Sequence, residues 1–343
     1  MVLRQFAGTM TNKKLGCIGV VLFLLLCGSL FANFLLGMVA VSKVGGGATT
    51  LSASKLGKFA EARISKGVGS GKIVQIDMTG IISSRSGGHF TDSMVDDLKI
   101  ALRQAKSDDK VSAVVLNIDS PGGEVTASDV LYNAIRELDE AKPVVVYMGS
   151  VAASGGYYAA CGGRYLMANP STITGSIGVI IQTLNYEDLF GKIGLDSVVF
   201  KSGKFKDILS GSRQMTEAER EYIQGLVMQT YDRFVGIVAE ERGIAQPDLE
   251  NGVADGRIVS GEDALSENLI DALGYIEDAH ALAMELAGVE GADVVKYTVP
   301  INFGNIFRLL GEERGKVEVD LTGGRLPKLD SGRLYYLPGH YAP

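Results

Sequence analysis

The sequence predicts an α/β fold with a largely parallel sheet, preceded by one N-terminal transmembrane helix. Three observations carry this. Short, nearly continuous apolar runs, VSAVVLNID at 111–119 and PVVVYM at 143–148, have the length and composition of strands buried on both faces. Helical stretches alternate with them, the order of a parallel sheet with crossover helices. Leu15–Ser42 is a run of 28 residues without a charge (LGCIGVVLFLLLCGSLFANFLLGMVAVS). A membrane-crossing helix needs about 20.

The elements follow in order. Arg4, Lys13 and Lys14 precede the apolar run, and no basic residue follows it before Lys43. That bias puts residues 1–14 in the cytoplasm and the rest outside the cell membrane. The run is longer than a signal-peptide core, and its small-residue cleavage pattern is weak. Leu26 before Cys27 makes a poor lipobox, so a retained single-span anchor is expected over 15–42. Residues 43–71 are rich in Gly, Ser, Ala and Thr and read as a flexible tether, with a short helix around Lys55–Ile64. A compact domain is expected over 72–295. It starts with the strand KIVQIDMTGII, and Thr91 then caps a helical stretch to about Ala105. After the 111–119 strand come a Gly-containing turn, a helix over about 125–141, and the 143–148 strand. RYLMA, SIGVIIQT and DSVVF read as further strands. Thr216–Arg242 is a long helix, and Ser260 and Ile276 begin two more. Residues 296–343 read as an extended tail; 301–343 hold three of the eight prolines.

Composition narrows the function. Hydrophobic residues are 46% and charged residues 21%, a globular balance. Residues 1–42 carry +3, and the remainder −10, which leaves no basic face for a nucleic acid. Three cysteines, two of them inside the apolar run, exclude a disulfide scaffold. With only three histidines besides, no His/Cys metal cluster is expected.

Two segments could carry chemistry. Asp119-Ser120-Pro121-Gly122-Gly123 follows a buried strand, and such a turn can aim backbone N–H groups into a cleft, as an oxyanion hole requires. Proline and glycine also dominate plain turns. Gly149–Tyr158, GSVAASGGYY, also follows a buried strand. Small residues around Ser154 suit a tight corner that presents a hydroxyl at a helix N-terminus, though a serine there is also an ordinary cap. Both segments end neighbouring strands, so both would open at one sheet edge. A serine nucleophile needs a base. His89, His280 and His340 fit surface or packing roles better. The alternative is a lysine, whose ordinary pKa near 10.4 must fall by about 3–4 pH units to act near neutrality. KSGKFKDI at 201–208 offers three candidates, Lys201, Lys204 and Lys206, and composition does not choose among them.

SPGG, SVAASGGYY, TGSIGV (174–179) and KSGKFKD, in this order and spacing over about residues 70–290, resemble the signal peptide peptidase A family. These are membrane-anchored serine–lysine proteases with a Clp-protease/crotonase-like α/β fold. The resemblance implies Ser154 as nucleophile and Lys206, the lysine followed by Asp207, as general base. It implies Ser176 as the residue orienting the lysine amine, and the backbone N–H groups of Gly122 and Gly155 as the oxyanion hole. One copy of the fold, instead of two in tandem, resembles the short form, in which serine and lysine meet between neighbouring subunits of a homo-oligomer. Glu124 stands after SPGG, where a third glycine or another residue can occur. In relatives the C-terminal segment can enter the groove, which suggests self-binding by RLYYLPGHYAP. The implied substrates are signal-peptide remnants and other apolar peptides outside the cytoplasmic membrane, with no metal or cofactor. The alternatives are a crotonase-like acyl-CoA enzyme and a catalytically idle membrane scaffold.

Overall fold

The computed structural model describes residues 59–84 and 93–299, together with Leu26, Gly28, Ser29 and the strand Tyr335–Tyr336. The chain divides into two units, Met1–Ala53 and Ser54–Pro343. In the first, Leu26, Gly28 and Ser29 are helical and exposed. The rest of the expected anchor lies outside the described residues. Among the described residues, no helix is long and apolar enough to cross a membrane.

The second unit begins with β1 (Ala60–Ser65), β2 (Lys72–Thr79), α1 (Met94–Ser107), β3 (Val111–Ser120) and β4 (Gly123–Glu124). Next come α2 (Val125–Asp139), β5 (Val144–Ala153), α3 (Gly155–Ala160), β6 (Tyr165–Ala168), β7 (Ile173–Gly175) and α4 (Glu187–Lys192). The chain continues through α5 (Glu217–Arg242), α6 (Gln246–Glu250), β8 (Ile258–Ser260) and α7 (Gly261–Ser266). It closes with β9 (Ala272–Leu273), α8 (Ile276–Leu286), β10 (Asp293–Thr298) and β11 (Tyr335–Tyr336).

Among the described residues the main sheet runs β1-β10-β2-β3-β5-β6-β9, with β7 on the far end of β5 and β8 on β7. Pairing is parallel from β10 through β9 and along β5–β7; β1–β10 and β7–β8 are antiparallel. Alternation along β3 and β5 divides the core into two layers. Val114, Leu116, Ile118, Val144, Val146 and Met148 pack with α1, α2, α3 and α5. Ala113, Val115, Val145 and Tyr147 pack with Ala279 and Ala283 of α8 on the opposite face. The sheet is therefore covered on both sides, which is why its strands read as continuous apolar runs.

Helix ends follow their local chemistry. Thr216 and Glu219 form a capping box at the start of α5, and Gly243 ends it in the left-handed region at φ 64°. Ser260 caps α7 as the sequence implies.

Four expectations are corrected. The helix around Lys55–Ile64 is replaced over its described part by β1, because the exposed edge of β10 offers a ladder to that segment. Residues 60–65 of the expected tether thus belong to the sheet. The helix expected after Thr91 is capped by Ser93, whose side chain accepts the Asp96 N–H. Thr91 lies outside the described residues. SIGVIIQT and DSVVF form no strands. SIGVIIQT makes a single bridge at Ile180 and DSVVF makes none; Val198 and Phe200 are 76% and 94% exposed. The 143–148 strand extends to Ala153, which matters for the site.

Candidate active site

The parallel strands β3 and β5 end side by side and deliver both motif turns to one edge, where open α/β sheets place their sites. β5 changes partners on the way. Val144–Met148 pairs with β3 and β6, the register then slips, and Val151–Ala153 pairs with β7. Side chains hold this kink. Asp119 Oδ1 accepts the Val151 N–H at 3.2 Å. The Thr172 hydroxyl donates to Gly149 O at 2.6 Å, and the Thr174 hydroxyl to Ala152 O at 2.6 Å.

Ser154 stands at the end of β5 and caps α3 with φ 53° and ψ −116°, a conformation an L-residue adopts only when its surroundings impose it. Its N–H donates to Gly175 O at 2.8 Å, and its carbonyl accepts the Tyr158 N–H at 2.8 Å. α3 is pinned by Tyr157, whose hydroxyl donates to Leu269 O at 2.8 Å, and by Tyr158, which donates to Asp129 at 2.7 Å. A Cβ on Gly156 would lie 2.8 Å from Ser120 O, so the glycine lets the two motif turns touch. The Ser154 hydroxyl is buried and, among the described residues, has no hydrogen-bond partner. An unpaired buried hydroxyl costs about 1–3 kcal/mol, the kind of expense that accumulates at functional sites. Gly155 opens α3, where its N–H has no helical acceptor.

The Gly122 turn also takes an unusual path. Gly122 has φ 105°. Its N–H donates to its own turn's Ser120 Oγ at 3.1 Å, and its carbonyl accepts the Ile82 N–H at 2.8 Å. The Gly122 donor is therefore engaged within the turn in this state. Ser176 follows Gly175 and joins the same corner, buried, with φ 52° and its N–H on Arg257 O at 2.7 Å.

Lys206 is not brought to Ser154. It is exposed, in the loop that returns from the arm beyond Val179. The burial that a lysine base needs is not supplied around it by its own chain. Its neighbour Asp207 anchors the loop: Arg213 bridges Asp207 at 2.7 Å and Glu219 at 2.5 Å, tying the loop to the capping box of α5. Arg213, with help from Lys201, holds the Asp207 carboxyl well below the usual carboxylate range. The same arginine, with the Thr216 N–H, draws Glu219 down to about 2. Sequence reasoning quoted Asp119 and Thr174 inside its motifs without reading their role, and it did not single out Thr172 or Arg213. Only the Thr216-x-x-Glu219 capping pattern was available in the sequence as a signal for this anchor.

A strained serine at a strand-to-helix corner of a Clp-protease-like parallel sheet defines the class: a serine peptidase. A Clp protease profile matches residues 77–175, and a profile of peptidase family S49 matches residues 136–290. The chain is 40% identical over 221 residues to a candidate protease of Synechocystis sp., covering 64% of this chain and 76% of that protein. It is 33% identical over 244 residues to a candidate signal peptide peptidase SppA of Enterococcus faecium, covering 70% of this chain and 71% of that one. Protease 4 of Salmonella typhi is 38% identical over 187 residues, which are 54% of this chain and 30% of that longer protein. The chain belongs to peptidase family S49 and is a protease of that family.

Proposed function

We propose that this protease is a membrane-anchored serine endopeptidase with a Ser154/Lys206 dyad. It degrades signal-peptide remnants and other apolar peptides at the outer side of the cytoplasmic membrane. The observation that carries the reading is the Ser154 hydroxyl, buried, unpartnered and held in a strained corner beside Gly155, Gly175 and Ser176. The uncharged run 15–42 supports the anchor, and the Enterococcus relative's name supports the substrate class.

In the mechanism, an extended peptide pairs along β4. The same edge already holds Tyr335–Tyr336 in antiparallel register, Tyr335 opposite Glu124 and Tyr336 opposite Gly123. Neutral Lys206 takes the Ser154 proton. The alkoxide attacks the scissile carbonyl, and the Gly122 and Gly155 N–H groups bind the oxyanion, Gly122 leaving Ser120 to do so. Lys206 then protonates the leaving amine, and water hydrolyses the acyl-enzyme. Ser176 orients the lysine amine. Because Lys206 is exposed in its own chain, the dyad is completed by the Lys206 of a neighbouring copy in a homo-oligomer. The exposed apolar arm (Leu184, Leu189, Ile193, Leu195, Val198, Phe200) is the surface that copy would cover.

The test is peptide hydrolysis by the full chain in detergent. Ser154→Ala and Lys206→Ala should each lose activity by at least about 10³-fold with assembly intact. Mixing the two inactive proteins after dissociation and reassembly should restore part of it. Activity surviving in Ser154→Ala rejects the nucleophile. Activity surviving in Lys206→Ala moves the base elsewhere, and a mixture that stays inactive rejects sharing between copies.

A further inference from the structure

Glu124 stands directly after Gly122–Gly123, at the N-cap position of α2, yet its side chain makes no capping bond there. The carboxylate turns instead to the segment that follows β2. Oε1 accepts the Ser83 hydroxyl at 3.0 Å, and Oε2 accepts the Ser84 N–H at 3.3 Å. The residue is buried, at 7% exposure. Backbone bonds bracket the same segment: the Ile82 N–H donates to Gly122 O, and the Glu124 N–H to Ile82 O, both at 2.8 Å. Ile82 pairs in parallel with Gly123, so closely that a Cβ on Gly123 would lie 1.9 Å from Ile82 O. The other edge of β4 holds Tyr335–Tyr336. Glu124 therefore joins the backing of the Gly122 turn to the edge along which an extended chain lies.

We propose that Glu124 is a positioning residue for peptide hydrolysis: its carboxylate clasps Ser83–Ser84 against β4 and fixes the peptide planes of Gly122–Gly123. This rests on the reading of Ser154 and Gly122 above. A buried carboxylate is costly unless its oxygens are bonded, and bonds to an ionised acceptor are the stronger kind. Placing each oxygen on a donor of a two-residue segment, the Ser83 hydroxyl and the Ser84 N–H, makes sense where that segment backs a turn whose orientation must not drift. Oxyanion donors act because they need no rearrangement in the transition state, and a displacement near 1 Å is enough to slow a reaction greatly.

The experiment uses the full chain in detergent and an unstructured fluorogenic peptide. Glu124→Ala should lower kcat by about tenfold and leave KM within about twofold. Glu124→Gln should recover kcat to within about threefold, since an amide can accept the Ser84 N–H and donate to the Ser83 hydroxyl. Ser83→Ala should add nothing in the Glu124→Ala background. A wild-type kcat in Glu124→Ala, a glutamine variant as slow as the alanine one, or a loss confined to KM overturns the proposal. Ser154→Ala, run beside them, separates the two readings. If it still hydrolyses peptide, the site reading fails whatever Glu124 does. If it is dead while Glu124→Ala is normal, only the clasp fails.

Discussion

Gly123 carries no side chain because Ile82 O occupies the space one would need. The obstacle is backbone on a buried segment, so it cannot swing aside as the end of a lysine would. Gly123→Ala should therefore destabilise the protein by about 1–3 kcal/mol, read from urea unfolding, and slow hydrolysis more than that loss explains. A normal kcat in that variant would mean that β4 can move without consequence. At the same scale, His280 is the packing histidine that the sequence suggested. It is buried and bonded to Gln75 at 3.0 Å, and burial pushes its ring below the ordinary value. The turns at Ser154 and Gly122 were legible as turns, because small residues and glycines cluster after apolar runs there; plain turns and capping serines share that pattern, and only the family resemblance gave the two residues roles. The roles of Asp119, Thr172 and Thr174 were not legible, since a short polar side chain that holds a strand kink looks in sequence like any loop residue.

Among the elements, the tail strand β11 has the clearest consequence. Two residues of backbone, Tyr335 and Tyr336, pair antiparallel with β4, the edge that the proposed mechanism assigns to an extended peptide. A tethered segment competes at high effective concentration with any free peptide. Removing the residues after Leu321 should therefore lower KM for added peptides severalfold and leave kcat near normal. Unchanged hydrolysis in the truncated protein would make the pairing incidental. The helices α2, α5 and α8 formed close to where periodicity and caps put them. The strands were less secure: Ala60–Ser65 reads as AEARIS, whose alternation is carried by two alanines and one isoleucine and is exposed at five of its six residues, so burial gives little signal, and it became an edge strand where β10 offered a ladder.

At the scale of the whole molecule, the two limbs of the arm between Val179 and Arg213 are tied to each other near its base, and Arg213 ties that base to Glu219 of α5. The Tyr186 N–H donates to Gly211 O at 2.8 Å, and the Thr183 hydroxyl to Leu209 O at 3.0 Å. Its apolar side chains beyond that point remain uncovered, Phe200 most of all at 94% exposure. Phe200→Asp should reduce the assembled mass measured by light scattering and abolish hydrolysis, with the unfolding midpoint unchanged. Full activity in a monomeric Phe200→Asp protein would remove the shared-site reading.

Local chemistry written in the chain determined the α/β class, the buried parallel strands, the helix caps at Thr216 and Ser260 and the two turns at one sheet edge. Each rests on residues adjacent in sequence: an apolar run, a Thr-x-x-Glu box, a Pro-Gly-Gly turn. Tertiary structure alone decided the rest. It bent β5 at Val151, left the Ser154 hydroxyl buried without a partner among the described residues, and turned Glu124 toward Ser83–Ser84 instead of its own helix. It also left Lys206 exposed and DSVVF unpaired. These outcomes depend on which distant groups meet, and a one-dimensional pattern does not record whether a strand will find an edge or a carboxylate a donor.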